Sequence, residues 1–245
     1  MSGHSKWSQI KRQKGTADVK RGAAFSKLTN AIIIAARSGG DPNTNFSLKM
    51  TIEKARTANM PKENIQRAIK RGTGEVTGAQ VEEVLYEAIG HGGIGIIISA
   101  ATDNRNRTNS EIKNVLTKVG GKLASSGAIT YQFERMGKLL IDLADQNHED
   151  LELKVIDAGA RDLEEVDNVL LVYTDPRELE NVKRSLEKDG VVVREPSLTW
   201  EPKTLIEISE KIEAEKILNL MDALENLDDV TAVFTNATLI TNQNE

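Results

Sequence analysis

The sequence predicts an α+β fold of more than one domain, and three observations carry that expectation. Apolar residues recur at helical spacing as far as Gly72, the period then shifts toward that of strands, and from Gly137 strand-sized and helix-sized segments alternate. A chain of 245 residues is also long enough for two or three cores. Hydrophobic residues at 39% and charged residues at 28% are the balance of a folded protein, and aromatics at 4% leave those cores mostly aliphatic.

Residues 1–22 are polar, basic and punctuated by Gly3, Gly15 and Gly22, which reads as an arm with little regular structure. From Ala24, Phe25, Leu28, Ile32, Ala35 and Ala36 describe a helix, closed by Gly39, Gly40 and Pro42. Residues 45–58 fit a second helix with Leu48, Ile52 and Ala55 inward. Residues 59–72 fit a third, with Pro61 in its first turn, Ile65, Ala68 and Ile69 on one side, and a flexible Gly72-Thr73-Gly74 after it. Three short helices make a small bundle.

Strands at 84–88 and 94–102 read as a hairpin about Gly90-His91-Gly92-Gly93. Residues 108–119 read as an amphipathic helix with Ile112, Val115, Leu116 and Val119 inward, and 128–133 as a further strand. A sheet with covering helices is implied. The order then runs strand 138–144, helix 148–158, strand 168–174, helix 176–188 and strand 191–194, which suggests a split βαβ unit of ferredoxin type. A strand at 197–201, a strongly amphipathic helix at 209–227, a last strand at 230–236 and a disordered tail from 242 complete the expectation.

Charge is divided unevenly. Residues 1–74 hold fifteen Lys and Arg against four Asp and Glu, a net +11, whereas 75–245 hold seventeen against thirty-three, a net −16. Such a split points to an anionic partner for the first segment. No apolar run reaches the roughly 18 to 20 residues needed to cross a bilayer, so no membrane role is expected. With no cysteine and no apolar region of signal-peptide type after the basic start, the cytoplasm is the simplest location.

The residues that a catalyst would need are scarce. His4, His91 and His148 are far apart, and no metal-ligand or nucleophile spacing occurs; no catalytic residue, metal or cofactor is expected, and the chain reads as a non-enzyme. Glu164-Glu165 and Asp228-Asp229 read as solvated carboxylates in turns. The glycines between Gly90 and Gly95 lead into a strand rather than a helix, which makes a turn of them, not a phosphate loop.

Two segments fit an anion. Lys6, Lys11, Arg12, Lys14, Lys20 and Arg21 are spaced along an arm that could follow a phosphate backbone, a better account of them than a merely solvated arm. Trp7 is placed to stack on a base, although packing with Ile10 against a neighbouring domain suits it better. Asp103-Asn104-Arg105-Asn106-Arg107-Thr108 precedes a helix N-terminus, a place that holds phosphate; the same residues are equally read as a cap through Thr108 or Asp103. Lys70 and Arg71 at a helix end complement its dipole.

Taken together, Gly3-His4-Ser5-Lys6-Trp7, then Asn59-Met60-Pro61-Lys62 with 68–74, then 102–108 closely resemble three motifs of the YebC/PmpR family, which also includes the mitochondrial translational activator of cytochrome c oxidase subunit I. The match runs in order from end to end. The resemblance implies three domains: a basic arm and helical bundle at 1–75, a central α/β domain at 76–136 and 197–245, and a ferredoxin-like domain inserted at 137–196.

It further implies a DNA-binding transcriptional regulator, with a ribosome-associated translation factor that binds ribosomal RNA as the alternative, since other members act in translation, including relief of stalling. Carried over by motif, the binding residues are His4, Lys6, Trp7, Lys11, Arg12, Lys14, Lys20, Arg21, Lys62, Lys70, Arg71, Asn104, Arg105 and Arg107. The acidic domains are left for a protein partner or for tempering the binding. Two departures stand out: His91 occupies a turn where proline is expected, and Ile32, Ile33 and Ile34 make the helix at 28–37 unusually apolar, which argues against a nucleic-acid contact there.

Overall fold

The computed structural model describes residues 21–78, 80–143, 148–166 and 168–239. The expected arm therefore lies outside the described residues except for Arg21 and Gly22, which already belong to the first helix; the expected tail also lies outside them.

Helix α1, Arg21–Ala36, buries Ile32, Ile33, Ala35 and Ala36, which accounts for its apolar run. Helix α2, Phe46–Thr57, buries Leu48, Ile52 and Ala55 as its period predicts. Asn45 joins the two. Its side-chain oxygen accepts from the Leu48 N–H at 3.0 Å, capping α2, while its amide nitrogen donates to the carbonyls of Ala35 at 2.8 Å and Gly39 at 2.7 Å.

Helix α3, Lys62–Gly72, starts later than expected because Asn59 takes a left-handed conformation, φ 60°, that ends α2 instead. The Asn59 N–H reaches the Arg56 carbonyl and the Met60 N–H the Ala55 carbonyl, each at 2.9 Å, and Met60 is buried in the bundle. This is a Schellman ending with asparagine in place of glycine. The segment after α3 is hydrogen-bonded back to the helix end. The Glu75 N–H bonds the Lys70 carbonyl at 2.9 Å, and the Thr73 hydroxyl donates to the Glu75 carboxylate at 2.9 Å. Gly72 lets α3 approach α1, since a Cβ there would fall 2.5 Å from the Ile33 carbonyl oxygen.

Strands β1, Glu82–Ile89, and β2, Gly95–Thr102, pair antiparallel across a tight turn at His91–Gly93, in which Gly92 and Gly93 have positive φ. Helix α4 is Arg105–Lys118, beginning before the expected residue 108, and a two-residue strand β3, Lys122–Leu123, was not foreseen. Residues 128–133 are not a strand. They are turn and 3-10 helix up to Gln132, and Phe133 opens the next strand.

Residues 134–201 form one compact unit. Its elements are β4, Phe133–Asp142; α5, His148–Asp157; β5, Asp162–Val166; β6, Val169–Thr174; α6, Leu179–Lys188; and β7, Val193–Pro202. The order across the sheet is β5-β6-β4-β7, with β6 antiparallel to β4 and β5, which is the split βαβ arrangement. Three details differ from expectation. Glu164 and Glu165 lie in β5 rather than a turn, α6 begins at Leu179 rather than residue 176, and 191–194 with 197–201 make a single strand.

The other unit includes the chain on both sides of this one, and the Lys203 N–H donates to the Gln132 carbonyl at 2.8 Å where the two crossings meet. Strand β8, Ile206–Ile208; helix α7, Lys211–Glu225; β9, Val230–Thr235; and β10, Ala237–Leu239, complete the described chain. The sheet order is β3-β1-β2-β9, and β8 with β10 adds a small parallel pair. Strand β2 is buried along nearly its whole length, because α4 and α7 cover one face through Ile112, Leu116, Leu220 and Leu224, packed with Ile96 and Ile98. Among the described residues, no helix is long and apolar enough to cross a membrane.

Candidate nucleic-acid interface

The structure places the sequence-derived candidates in three groups. His4, Lys6, Trp7, Lys11, Arg12, Lys14 and Lys20 lie outside the described residues, and Arg21 opens α1. Lys62 and Lys70 are exposed on α3, whereas Arg71 is half-buried, its side chain laid along Gly78 so closely that a Cβ there would be 2.7 Å from Arg71 Nε. Asn104, Arg105 and Arg107 lie at the start of α4.

The α4 start resolves into a cap with an ion-pair network. Asn104 caps the helix, its side chain accepting from the Arg107 N–H at 3.1 Å, so neither Thr108 nor Asp103 fills that place. Arg107 donates to Asp103 at 3.1 Å and to Asp229 at 2.7 Å, and Arg105 donates to Glu82 at 2.7 Å. Both arginines thus face carboxylates, whereas the phosphate reading left them free for an anionic ligand.

At the centre is Asp229, which sequence reasoning placed on the solvated surface and which is buried. Its carboxylate accepts from Thr108 at 2.6 Å, Arg107 at 2.7 Å and Thr102 at 3.0 Å, and the two threonine hydroxyls lie 2.8 Å apart. Burial alone would raise the pKa of this group, but the hydrogen bonds from Thr108, Arg107 and Thr102 outweigh it and hold the carboxyl below its ordinary value.

A second buried carboxylate holds the loop before β4. Glu87 accepts from the backbone N–H of Gly127 and Ile129 at 2.6 Å and of Thr130 at 2.9 Å. Here too burial raises the pKa, and the amide donors more than reverse it. Groups with depressed folded-state values stabilise fully above their ordinary range and lose that stabilisation as pH falls through it. The urea midpoint of the chain is therefore expected to fall as pH drops below about 4.5. Glu87→Gln should start lower at neutral pH and show a shallower acid limb; midpoints measured from neutral to acid pH check this, and an unchanged limb would contradict it.

Helix α1 is tied to the sheet and to α7. Asn30 donates to the Ala101 carbonyl at 3.1 Å, at the end of β2 that leads into 102–108, and Lys27 donates to the Glu225 carbonyl at the end of α7. The helix that continues the basic arm is thereby bonded beside the Asp229 network.

Two family models match the chain: one described as the TACO1/YebC protein N-terminal domain over residues 5–75, the other as the TACO1/YebC second and third domain over residues 81–237. A protein of Aquifex aeolicus named "Probable transcriptional regulatory protein" is 46% identical over 237 residues, covering 96% of this chain and 95% of its own. One of the same name from Halothermothrix orenii is 45% identical over 239 residues, covering 96% and 94%. The crystal structure of a conserved hypothetical protein from Aquifex aeolicus superposes with a TM-score of 0.84 at 44% identity, covering 93% of this chain and 94% of that one.

Proposed function

The chain belongs to the TACO1/YebC family, and from that premise we propose that it regulates gene expression by binding nucleic acid, without catalysing a reaction and without a cofactor. The observation that carries the reading is the charge division: a net +11 over residues 1–74 against −16 over the rest. Lys6, Lys11, Arg12, Lys14, Lys20 and Arg21 neutralise phosphates along the arm and release their counterions, the main source of sequence-independent affinity. The acidic remainder repels polyanions from every other surface, which orients the complex and leaves those surfaces for a protein partner. The cytoplasm, where both candidate polyanions are found in bacteria, is the proposed location.

Its relatives' names support a transcriptional role, for which promoter DNA is the proposed ligand. One observation favours structured ribosomal RNA as a second reading. Arg105 and Arg107, the arginines best placed at a helix N-terminus, are engaged by Glu82, Asp103 and Asp229, so the spaced cations of the arm remain, and they suit phosphate and shape recognition rather than base reading.

Crosslinking in cells with a tagged chain, followed by separate sequencing of DNA and RNA, separates the two. Purified protein should show a logarithmic salt slope of roughly −4 to −5 if six arm charges meet phosphates. Lys11→Ala, Arg12→Ala and Lys14→Ala combined should remove about 3 from that slope and lower affinity at least about tenfold. Binding that survives the triple substitution unchanged would remove the arm from the interface.

A further inference from the structure

We propose that the outer sides of α2 and α3 form a second phosphate-contact surface that favours double-helical over single-stranded nucleic acid. The inference rests on the nucleic-acid reading above and adds to it both residues and the form of the ligand. Lys49, Lys54 and Arg56 on α2 and Lys62, Arg67 and Lys70 on α3 are all exposed, and among the described residues none has an ion pair or a side-chain hydrogen bond.

That isolation is selective. Glu53 stands four residues after Lys49 and Glu63 four before Arg67, spacings at which helical pairs form, yet these cations stay apart from them. Elsewhere Arg105, Arg161, Arg184 and Arg194 each hold a carboxylate at 2.6 to 2.7 Å. The cations of α2 and α3 also add nothing to the core, which the opposite sides of the helices supply through Leu48, Ile52, Ala55, Ile65 and Ala68. Six cations against two carboxylates leave a local surplus whose counter-charge has to come from outside.

The side chains define the ligand. Phe46 is the one aromatic residue in these two helices, and it is half-buried; with no ring presented to solvent there is no platform on which an unpaired base would stack. What remains are donors that suit phosphate oxygens. Lys49 and Arg56 are separated by roughly 10 Å along α2, and Arg67 and Lys70 by roughly 5 Å along α3, a span that meets several phosphates at once on a duplex. A duplex also carries the denser charge and gives the steeper release of counterions, about 0.9 per contact against about 0.7 on a single strand.

The test uses the full chain with Lys49→Gln, Arg56→Gln, Arg67→Gln and Lys70→Gln combined. Fluorescence anisotropy with a labelled DNA duplex, an RNA duplex and a single strand, each of equal length, is read between about 50 and 200 mM salt. The variant should keep its helical circular dichroism, lose roughly 2 to 4 from the salt slope on duplexes, and bind them at least about tenfold more weakly, with a smaller loss on the single strand. Lys113→Gln with Lys118→Gln on α4 should change nothing.

A duplex slope equal to that of the unsubstituted chain overturns the surface, and an equal loss on the single strand overturns its preference. If the arm substitutions abolish binding while these four do not, the nucleic-acid reading stands and the second surface falls. If the unsubstituted chain shows no salt-dependent affinity for any probe, both fall.

Discussion

Asp229→Ala is expected to lower the stability of the chain by about 2 to 4 kcal/mol. The carboxylate is buried and accepts from three side chains, so its removal leaves the fully buried Thr102 hydroxyl without its acceptor and the Thr108 hydroxyl with only the Asn104 carbonyl and the Thr102 oxygen. It also leaves the Arg107 guanidinium without its shorter ion pair. Breaking a buried pair from one side costs about 3 to 5 kcal/mol; the lower range applies because Arg107 is 45% exposed and is rehydrated. Asp229→Asn keeps an acceptor while losing the charge, and should fall between. Urea unfolding followed by circular dichroism measures both, and a loss below about 1 kcal/mol would show that the network is no more than a surface pair.

The second large effect runs against helix propensity. Gly72→Ala at the last residue of α3 ought to gain up to about 1 kcal/mol on propensity alone. It is expected instead to cost about 2 to 4 kcal/mol, since the new Cβ would sit 2.5 Å from the Ile33 carbonyl oxygen and 2.6 Å from the Ala36 Cβ, where backbone has to move. Gly74→Ala is the control. Nothing lies within 4 Å of its Cβ position, so its φ of +83° leaves only left-handed strain, about 1 to 2 kcal/mol. If Gly72→Ala proves the milder of the two in thermal unfolding, the close approach of α3 to α1 is wrong.

These two residues mark what was legible. Helix α2 was read almost to its ends because its inward residues keep the helical period and Asn45 caps it. Strand β5 was missed because Asp162, Glu164 and Glu165 at the edge of a sheet give no apolar alternation, and β3 because two residues carry no pattern at all. Asp229 looked like one half of an acidic turn. Its partners Thr102 and Thr108 are more than a hundred positions away, brought to it by the pairing of β2 with β9, and local reasoning has no access to such a separation. A buried threonine pair around an Asn-Arg-Asn-Arg segment was the available signal, and it pointed to phosphate and to a cap alike. The structure selects Asn104 as the cap. Of the exposed cations of α3, Lys62 and Lys70 stand in a recognisable motif, whereas Arg67 and the cations of α2 carry no local signal that sets them apart.

The hydrogen bond between Lys203 and Gln132 bears on the order in which the molecule is completed during synthesis. Strand β2 is translated well before β9, and until β9 arrives its Ile96 to Ser99 edge has no partner, a bare apolar template for mispairing. Residues 134–201, contiguous in sequence, are free to fold in that interval. Once they have done so, the tie between Gln132 and Lys203 roughly halves the loop that separates β2 from β9, which saves about 0.6 kcal/mol of closure entropy and shortens the search for the register in which Ile97 meets Phe234. The segment that interrupts the host sheet thus hastens its closure.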